Sequence, residues 1–91
     1  MDRVEGFLPT CITEAAQKIP SLTPRQQEVI VLLAKGYSNR RMAVTMGIAE
    51  STVKQYVTEI MKFLQLESRV QIALAGYINS HGHAGTRADE P

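Results

Sequence analysis

The chain has 91 residues, a length that fits one domain with a single hydrophobic core. Its formal net charge is only +1, which argues against a polybasic protein that acts through bulk charge. Residues 22–80 hold seven Lys and Arg against four Asp and Glu, a mild excess that fits a few placed phosphate contacts but does not by itself indicate a nucleic-acid partner.

The single cysteine and the N-terminal residues limit the cellular compartments in which the protein is expected. Cys11 is the only cysteine, so the sequence offers no intramolecular disulfide and no Cys-based metal site. The first twenty residues include Asp2 and Glu5 and lack the continuous apolar core of a signal peptide. No run approaches the length of a membrane span. We therefore expect a cytoplasmic protein without a membrane partner.

The first predicted element is a short amphipathic helix over residues 9–19, within an N-terminal extension of residues 1–21. Pro9 suits a first helical position and Pro20 ends the segment. The apolar positions recur at helical spacing: Ile12, Ala15, Ala16 and Ile19. Two roles are open, of which we favour a clip packed on the domain over a helix that binds a partner or extends a dimer interface.

A second helix is predicted to begin after Thr23. Thr23 and Gln26 have the spacing of a capping box, Pro24 stands at the first helical position, and Gly36 ends the helix. Its buried side is predicted from four apolar residues: Val29, Ile30, Leu32 and Leu33. Tyr37, just beyond the helix, is expected to pack at the edge of the core.

A short third helix and a tight turn follow. Ser38 is a good N-cap, and Gly47 is able to adopt the left-handed conformation that ends a helix. The apolar positions of this helix are Met42, Ala43 and Met46. Ile48 is expected to fill the turn before the next helix. A short helix, a Gly-containing turn and a longer helix are typical of a helix-turn-helix motif.

The longer helix is predicted over residues 49–64. Apolar residues at intervals of three and four predict a buried stripe: Val53, Tyr56, Val57, Ile60 and Leu64. The opposite side has hydroxyl, amide and ammonium groups at the same spacing: Ser51, Lys54, Gln55, Thr58 and Lys62. Such groups pair with phosphates and base edges, although a polar stripe taken alone is more often solvated surface.

The last predicted helix begins after Ser68, which forms a second capping box with Gln71, and continues to about Ser80. Val70, Leu74, Tyr77 and Ile78 lie along one side of this helix, and Ile72, Ala73 and Gly76 lie along another. Because the final helix of a small bundle needs only one buried side, we expect the other apolar side to pair with a second copy of the chain.

The final segment, residues 81–91, is polar and lacks periodicity, so we expect a disordered tail. His81 and His83 do not form a metal site on their own. We expect neither a metal nor a cofactor.

Residues 22–73 resemble the LuxR-type, or GerE-like, DNA-binding domain in motif order and spacing. The matching blocks are Leu22-Thr23-Pro24-Arg25, Gly36-Tyr37-Ser38-Asn39, Ala43, Gly47-Ile48, Thr52-Val53-Lys54 and Ser68-Arg69. The resemblance implies an all-α fold, namely a four-helix helix-turn-helix domain over residues 22–80, to which the short N-terminal helix is added. The chain departs from the family pattern at Gln26, Arg41, Ala49 and Gln65, where the family usually has Glu, Glu, Ser and Gly.

The resemblance also implies a function, namely sequence-specific regulation of transcription by a homodimer that reads an imperfect palindrome in double-stranded DNA. Base edges are then expected to face Lys54, Gln55 and Thr58. Phosphates are expected to be held by Asn39, Arg40, Arg41, Ser51, Thr52 and Lys62. The dimer interface is expected at Val70, Leu74, Tyr77 and Ile78. Arg69 is either a structural clasp at the start of the last helix or a contact to the DNA backbone.

Three functions are open. The first, which we favour, is a regulator that reads DNA. The second is an antagonist that forms heterodimers with a related full-length regulator. Glu59 and Phe63, where the family often has Asn and Lys, motivate the antagonist. A sigma-like promoter-binding fragment is a third reading. The sequence holds no catalytic constellation and no phosphate-cradling Gly loop, so we expect no enzyme. Met1 and the tail favour a stand-alone protein over an excised domain.

Overall fold

The computed structural model of the protein describes residues 9–82, and every regular element in that range is helical. The five α-helices are α1 (Thr10–Lys18), α2 (Pro24–Ala34), α3 (Asn39–Met46), α4 (Glu50–Leu64) and α5 (Arg69–Tyr77). A 3-10 turn, Ile19–Ser21, follows α1, and a π-helical turn, Ile78–Gly82, follows α5. The predicted fold class, an all-α helix-turn-helix domain with an additional N-terminal helix, is confirmed.

Side-chain caps begin three of the five helices. Thr23 accepts a hydrogen bond from the amide of Gln26, and the Gln26 side chain accepts one from the amide of Thr23. Ser68 and Gln71 form the same reciprocal pair at α5, and Ser38 accepts from the amide of Arg41 at α3. These caps satisfy amide groups that the first turn of a helix leaves without partners. Both predicted capping boxes and the predicted cap at Ser38 are confirmed.

Helices α2, α3 and α4 end with the same device. Gly36, Gly47 and Gln65 follow these helices with φ of 89°, 69° and 58°. The next amide in each case donates back to a carbonyl five residues earlier: Tyr37 to Leu32 at 3.1 Å, Ile48 to Ala43 at 3.0 Å and Leu66 to Met61 at 2.9 Å. The left-handed residue therefore ends each helix and turns the next apolar side chain toward the core.

One hydrophobic core joins all five helices. Residues fully shielded from solvent come from each of them, among them Ile12, Ile30, Met42, Ile60 and Ile72. Helix α5 packs against both α1 and α2, while α3 packs mainly on α4. The N-terminal helix is therefore part of the same packed body, which is the arrangement expected of a clip.

Helices α5 and α2 approach each other closely at Gly76. A Cβ placed on this residue would lie 2.5 Å from Cγ2 of Ile30 and 3.4 Å from the Ile30 carbonyl oxygen. Real Cβ atoms do not approach neighbours so closely, so only glycine allows α5 to sit this near α2.

The ends of the chain differ from the sequence-based expectation in three details. Pro9 is the extended residue before α1 and not its first helical residue. The α-helical geometry of α5 ends at Tyr77, and the expected last turn is wound as a π-helix through Gly82. His81 therefore belongs to this turn and not to a disordered tail, while residues 1–8 and 83–91 lie outside the described residues.

Candidate nucleic-acid interface

Helices α3 and α4 form the helix-turn-helix, and the turn between them is held from two sides. Ile48 is partly buried against the core, as expected for the residue that fills the turn. On the other side, Nη2 of Arg25 donates to the carbonyl oxygen of Met46 at 3.3 Å. Arg25 also forms an ion pair with Glu28 at 3.0 Å. Its guanidinium thus ties the start of α2 to the end of α3.

Helix α4 separates a buried stripe from a polar stripe. Val53, Val57, Ile60 and Leu64 are buried, and Tyr56 is partly buried beside them. The predicted polar residues on the opposite side are exposed: Ser51, Lys54, Gln55, Thr58 and Lys62. Thr52 is half-buried at the edge of this polar stripe. The stripe therefore presents its amide, ammonium and hydroxyl groups to solvent along the whole helix.

The hydroxyl of Thr58 is held by the helix itself. Its Oγ1 donates to the carbonyl oxygen of Lys54 at 3.0 Å. A hydroxyl that uses its proton in this way still has lone pairs with which to accept a hydrogen bond. Thr58 is therefore oriented to accept from a donor on a partner.

Two exposed residues next to the polar stripe have a different character. Glu59 is exposed, and 47% of Phe63 is accessible to solvent. An α-helix turns by about 100° per residue, which places Glu59 beside Gln55 and Phe63 beside Glu59. One flank of the stripe is thus acidic and apolar, whereas Lys54 lies at the other flank.

The predicted phosphate contacts outside α4 lie at the N-terminus of α3. Arg40 and Arg41 are exposed and Asn39 is half-buried. The guanidinium of Arg41 lies 3.9 Å from the centroid of the Tyr37 ring, a distance suited to a cation–π interaction. Arg41 is therefore partly fixed in place, whereas the side chain of Arg40 extends into solvent.

Arg69 connects the start of α5 to this same region. Its Nη1 donates to Oδ1 of Asn39 at 2.6 Å, and its Nη2 donates to the carbonyl oxygen of Tyr37 at 3.0 Å. Of the two readings of Arg69, the geometry corresponds to the structural clasp. Asn39 is consequently both a predicted phosphate contact and a partner within the protein.

The positive charges of the motif are not neutralised internally. Within residues 9–82 the ion pair between Arg25 and Glu28 is the sole salt bridge. Arg40, Arg41, Lys54 and Lys62 therefore keep their charges available for an anion from outside the protein. Within the same range there is no group of three His, Cys, Asp or Glu residues that would bind a metal ion, and no helix has the length and apolar content needed to cross a membrane.

Ala49 precedes α4 without a side-chain cap, unlike Ser38 before α3. Nothing in the structure explains the alanine at this position. Glu50 supplies one acidic side chain in the first turn, which is the favourable sign of charge at a helix N-terminus.

The surface expected to pair with a second copy lies on α5. Val70, Leu74 and Tyr77 are exposed at 66%, 40% and 54%. Ile78, which was predicted in the same set, is partly buried against the core of its own chain. We define the exposed α5 face as Val70, Leu74 and Tyr77. The Tyr77 ring stacks on His81 with the centroids 3.9 Å apart, so the π-helical turn supports one end of this face.

Sequence reasoning missed two anchors of the motif. In the sequence Arg25 stands out only as part of the family match, yet it holds the end of α3. Tyr37 was expected to pack at the edge of the core, and it does, but it also receives Arg41 on its ring and Arg69 at its carbonyl. The contacts of Arg25 and Arg69 span 21 to 32 residues of sequence, and no local pattern signals such pairs.

Comparison with known proteins places these features in a family. The family model described as "Bacterial regulatory proteins, luxR family" matches residues 20–75. The chain is 44% identical over 54 residues to the two-component response regulator PprB of Pseudomonas aeruginosa, covering 59% of this chain and 20% of PprB. It is 39% identical over 56 residues to the nitrate/nitrite response regulator protein NarL of Escherichia coli K12, covering 62% of this chain and 26% of NarL.

A third relative is the response regulator protein VraR of Staphylococcus aureus, which is 36% identical over 62 residues, 68% of this chain and 30% of VraR. The chain thus spans between a fifth and a third of the length of these relatives. No solved structure is significantly similar to the chain.

Proposed function

The chain belongs to the luxR family of bacterial regulatory proteins, and we propose that it is a cytoplasmic, sequence-specific DNA-binding regulator of transcription. In this proposal α4 enters the major groove, and two copies of the chain bind the two halves of an imperfect palindrome. The membership in the family supports DNA-dependent regulation as the general activity. The finer assignments rest on the surfaces of α3, α4 and α5.

The observation that carries the proposal is the polar stripe of α4. A solvated surface helix usually mixes acids and bases, whereas the centre of this stripe offers hydroxyl, amide and ammonium groups without an acid: Ser51, Gln55, Thr58 and Lys62, with Lys54 at its flank. The donors of Ser51, Gln55 and the two lysines match the phosphate oxygens and base-edge acceptors of DNA. The Thr58 hydroxyl, whose proton is donated to the Lys54 carbonyl, matches a base-edge donor such as the amino group of cytosine or adenine. In a helix-turn-helix this second helix is the one that enters the major groove.

The positions along α4 separate base reading from backbone holding. At 1.5 Å per residue, Lys54 and Lys62 lie about 12 Å apart along the helix axis, which is about the width of the major groove. The N-terminal part of a recognition helix contacts base edges, so we assign base contacts to Lys54, Gln55 and Thr58. Lys62 then lies where the helix leaves the groove and contacts phosphate.

The remaining phosphate contacts surround the start of α3 and of α4. We assign them to Asn39, Arg40, Arg41, Ser51 and Thr52. Arg40 and Arg41 supply positive charge without an internal carboxylate partner among the described residues. Thr52 is half-buried, so its hydroxyl suits a backbone contact at the edge of the groove better than a base contact at its centre.

The exposed α5 face supports the homodimer. Three large apolar side chains at positions i, i+4 and i+7 lie on one side of a helix whose opposite side is already buried in the core. Burying such a face against its own copy satisfies the self-complementarity that a two-fold interface requires. A symmetric dimer would present its two α4 helices to successive turns of the major groove.

A selection of bound duplexes from a random pool tests the proposal, with the oligomeric state measured in parallel by sedimentation. We expect enrichment of an imperfect palindrome and a dimer at the concentrations where binding occurs. Recovery of no sequence preference, together with binding that is insensitive to salt, would contradict the proposal, because phosphate contacts make affinity fall with salt concentration.

The second candidate is an antagonist that forms heterodimers with a related regulator and does not read DNA itself. The exposure of Glu59 and Phe63 beside the polar stripe favours it. A solvated carboxylate next to a phosphate costs about 1 kcal/mol or less, so Glu59 weakens DNA binding without preventing it, and Glu is also able to accept from cytosine. The same selection decides, because the antagonist would enrich no duplex.

A further inference from the structure

Arg69 is the donor in both hydrogen bonds of the clasp. A guanidinium carries only donors, so the atom of Asn39 that faces it at 2.6 Å must be the amide oxygen. The assignment of oxygen and nitrogen in this side chain is therefore fixed by its partner. The Nδ2 group, which carries two protons, takes no part in the clasp and keeps its donors for another partner.

The same clasp binds two points of the chain at once. Arg69 donates to the Asn39 side chain and to the Tyr37 carbonyl, which flank Ser38, the N-cap of α3. Arg69 is also the first residue of α5. The helix that carries the exposed α5 face is thus attached directly to the start of the helix-turn-helix.

We propose that Arg69 is a positioning residue for DNA binding, which holds the Asn39 amide in the orientation that donates to a phosphate without itself touching the DNA. This inference rests on the proposed function, and it assigns a mechanism to one of its phosphate contacts. Without Arg69 the amide is free to rotate and to present its oxygen to the phosphate, an acceptor facing an anion. The donor of Asn39 would then be lost for part of the time.

Salt dependence separates positioning from a direct contact. An arginine that neutralises a phosphate contributes about 0.9 to the slope of log affinity against log salt, whereas a neutral amide contributes nothing to counterion release. Removing Arg69 should therefore weaken binding and leave the slope unchanged. The loss should be about three- to tenfold per protomer, the range expected for one hydrogen bond.

The experiment is a double-mutant cycle with Arg69→Met and Asn39→Ala, measured on a random-sequence duplex and on a duplex selected with the wild-type protein, across a salt series. We expect Arg69→Met to weaken both duplexes similarly at an unchanged slope. In the Asn39→Ala background the same substitution should have almost no further effect, because the amide that it positions is gone. Thermal unfolding of each variant gives the folded fraction for correction.

Arg25→Met is the matched control. Arg25 also donates from its guanidinium to a carbonyl oxygen of another helix, but it makes no contact with Asn39. Its effect on DNA binding should be the same in the wild-type and Asn39→Ala backgrounds. A general loosening of the domain would instead make both arginine variants behave alike.

Two results would overturn the proposal. A slope reduced by about 0.9 per protomer in Arg69→Met would make Arg69 a phosphate contact itself. An equal loss of affinity in the presence and absence of Asn39 would show that the clasp does not act through the amide. Failure of the wild-type protein to bind either duplex would instead contradict the proposed function, which keeps the two failures apart.

Should Arg69→Met fail to fold, Arg69→Lys replaces it in the double-mutant cycle with Asn39→Ala. An ammonium keeps the charge but lacks the planar fork that serves two acceptors in fixed directions. Coupling to Asn39 is again expected, and its absence would count against the proposal. Asn39→Asp adds a second check, because a carboxylate accepts from Arg69 and keeps the clasp while it removes both amide donors. We expect it to fold stably and to bind DNA more weakly than Asn39→Ala.

Discussion

Helices α4 and α5 each bury one side in the same core, yet their outer sides are chemically opposite. The outer side of α4 holds hydroxyl, amide and ammonium groups, whereas that of α5 holds Val70, Leu74 and Tyr77. Burial of apolar groups lowers the free energy when any complementary apolar surface removes them from water. Burial of polar groups raises the free energy unless each group finds a matching hydrogen-bond partner.

Under the proposed function, this difference suits the two helices to different classes of partner. An apolar face of three large side chains tolerates many geometries and suits protein association. The stabilisation that it gives to a complex follows the buried apolar area, at about 25 cal/mol per Å². The polar stripe of α4 suits a partner that offers hydrogen-bond donors and acceptors at defined positions, as the major groove does. Changes that remove one of these two properties test how far the two surfaces act independently.

The largest effect is expected from placing a charge on the exposed α5 face. Leu74→Glu or Tyr77→Glu should give a folded monomer, because both side chains are exposed and the core is untouched. The loss of the second binding module should lower affinity for a palindromic duplex by about 100-fold or more. Sedimentation and binding titrations measure the two outcomes. Gln17→Glu, an exposed position on α1, adds the same charge and should leave both unchanged.

Should Leu74→Glu and Tyr77→Glu both dimerise with the wild-type concentration dependence, the self-pairing surface lies elsewhere. Helix α1 would then be the first place to look, since its role as a partner helix was the alternative to a clip.

A change in the DNA should have an effect nearly as large. Two α4 helices related by a two-fold axis should read half-sites whose centres lie about 10 base pairs apart. Inserting about five base pairs between them turns one half-site to the opposite side of the duplex, so only one protomer remains bound. Gel mobility and titration of both duplexes test this. Undiminished affinity for the longer duplex would argue for binding by a monomer.

Substitution within the polar stripe should have a smaller and more selective effect. Lys54→Ala should cost about 1 to 3 kcal/mol on the selected duplex and reduce the preference at one base pair, with much less effect on random DNA. Competition titrations with single base-pair variants measure the preference. Equal losses on selected and random DNA would make Lys54 a phosphate contact.

Lys62→Ala is the matched partner of that experiment, because it removes the same charge near the other end of the same helix. It should weaken selected and random duplexes similarly and reduce the salt slope by about one per protomer. A salt series on both duplexes gives the result. If neither lysine variant alters binding, the polar stripe is solvated surface and the antagonist becomes the better interpretation.

The smallest effect is expected at the joint between the two helices. Gln65 adopts φ of 58°, a conformation that costs a non-glycine residue free energy. Gln65→Gly should raise the free energy of unfolding by about 0.5 to 1 kcal/mol, because relief of that cost outweighs the extra entropy of the unfolded glycine. Chemical denaturation measures this. DNA affinity and dimerisation should both stay at the wild-type level, and a change in either would mean that the two surfaces are coupled through this turn.

The features that sequence predicted correctly are those with local causes. The capping boxes at Thr23 and Ser68 and the left-handed Gly47 depend on residues within four positions, and the buried stripe of α4 follows from its spacing alone. The role of the last residue in the predicted dimer interface did not follow from local sequence. Ile78 continues the apolar pattern of that interface but packs on the core of its own chain. The partners of Arg69 could not be predicted from sequence, because the contact with Asn39 joins residues that are 30 apart in the chain.

The absence of a side chain at Gly76 bears on the distance between the two α4 helices in the proposed dimer. Helix α5 rests on α2 at a distance that excludes even one methyl group. In a two-fold dimer formed through α5, any outward movement of that helix is applied once in each protomer, so the separation of the two α4 helices changes by twice the movement along the line that joins them. In such a dimer, glycine at this position would set the distance between α5 and α2, and with it the spacing at which the two α4 helices meet the half-sites.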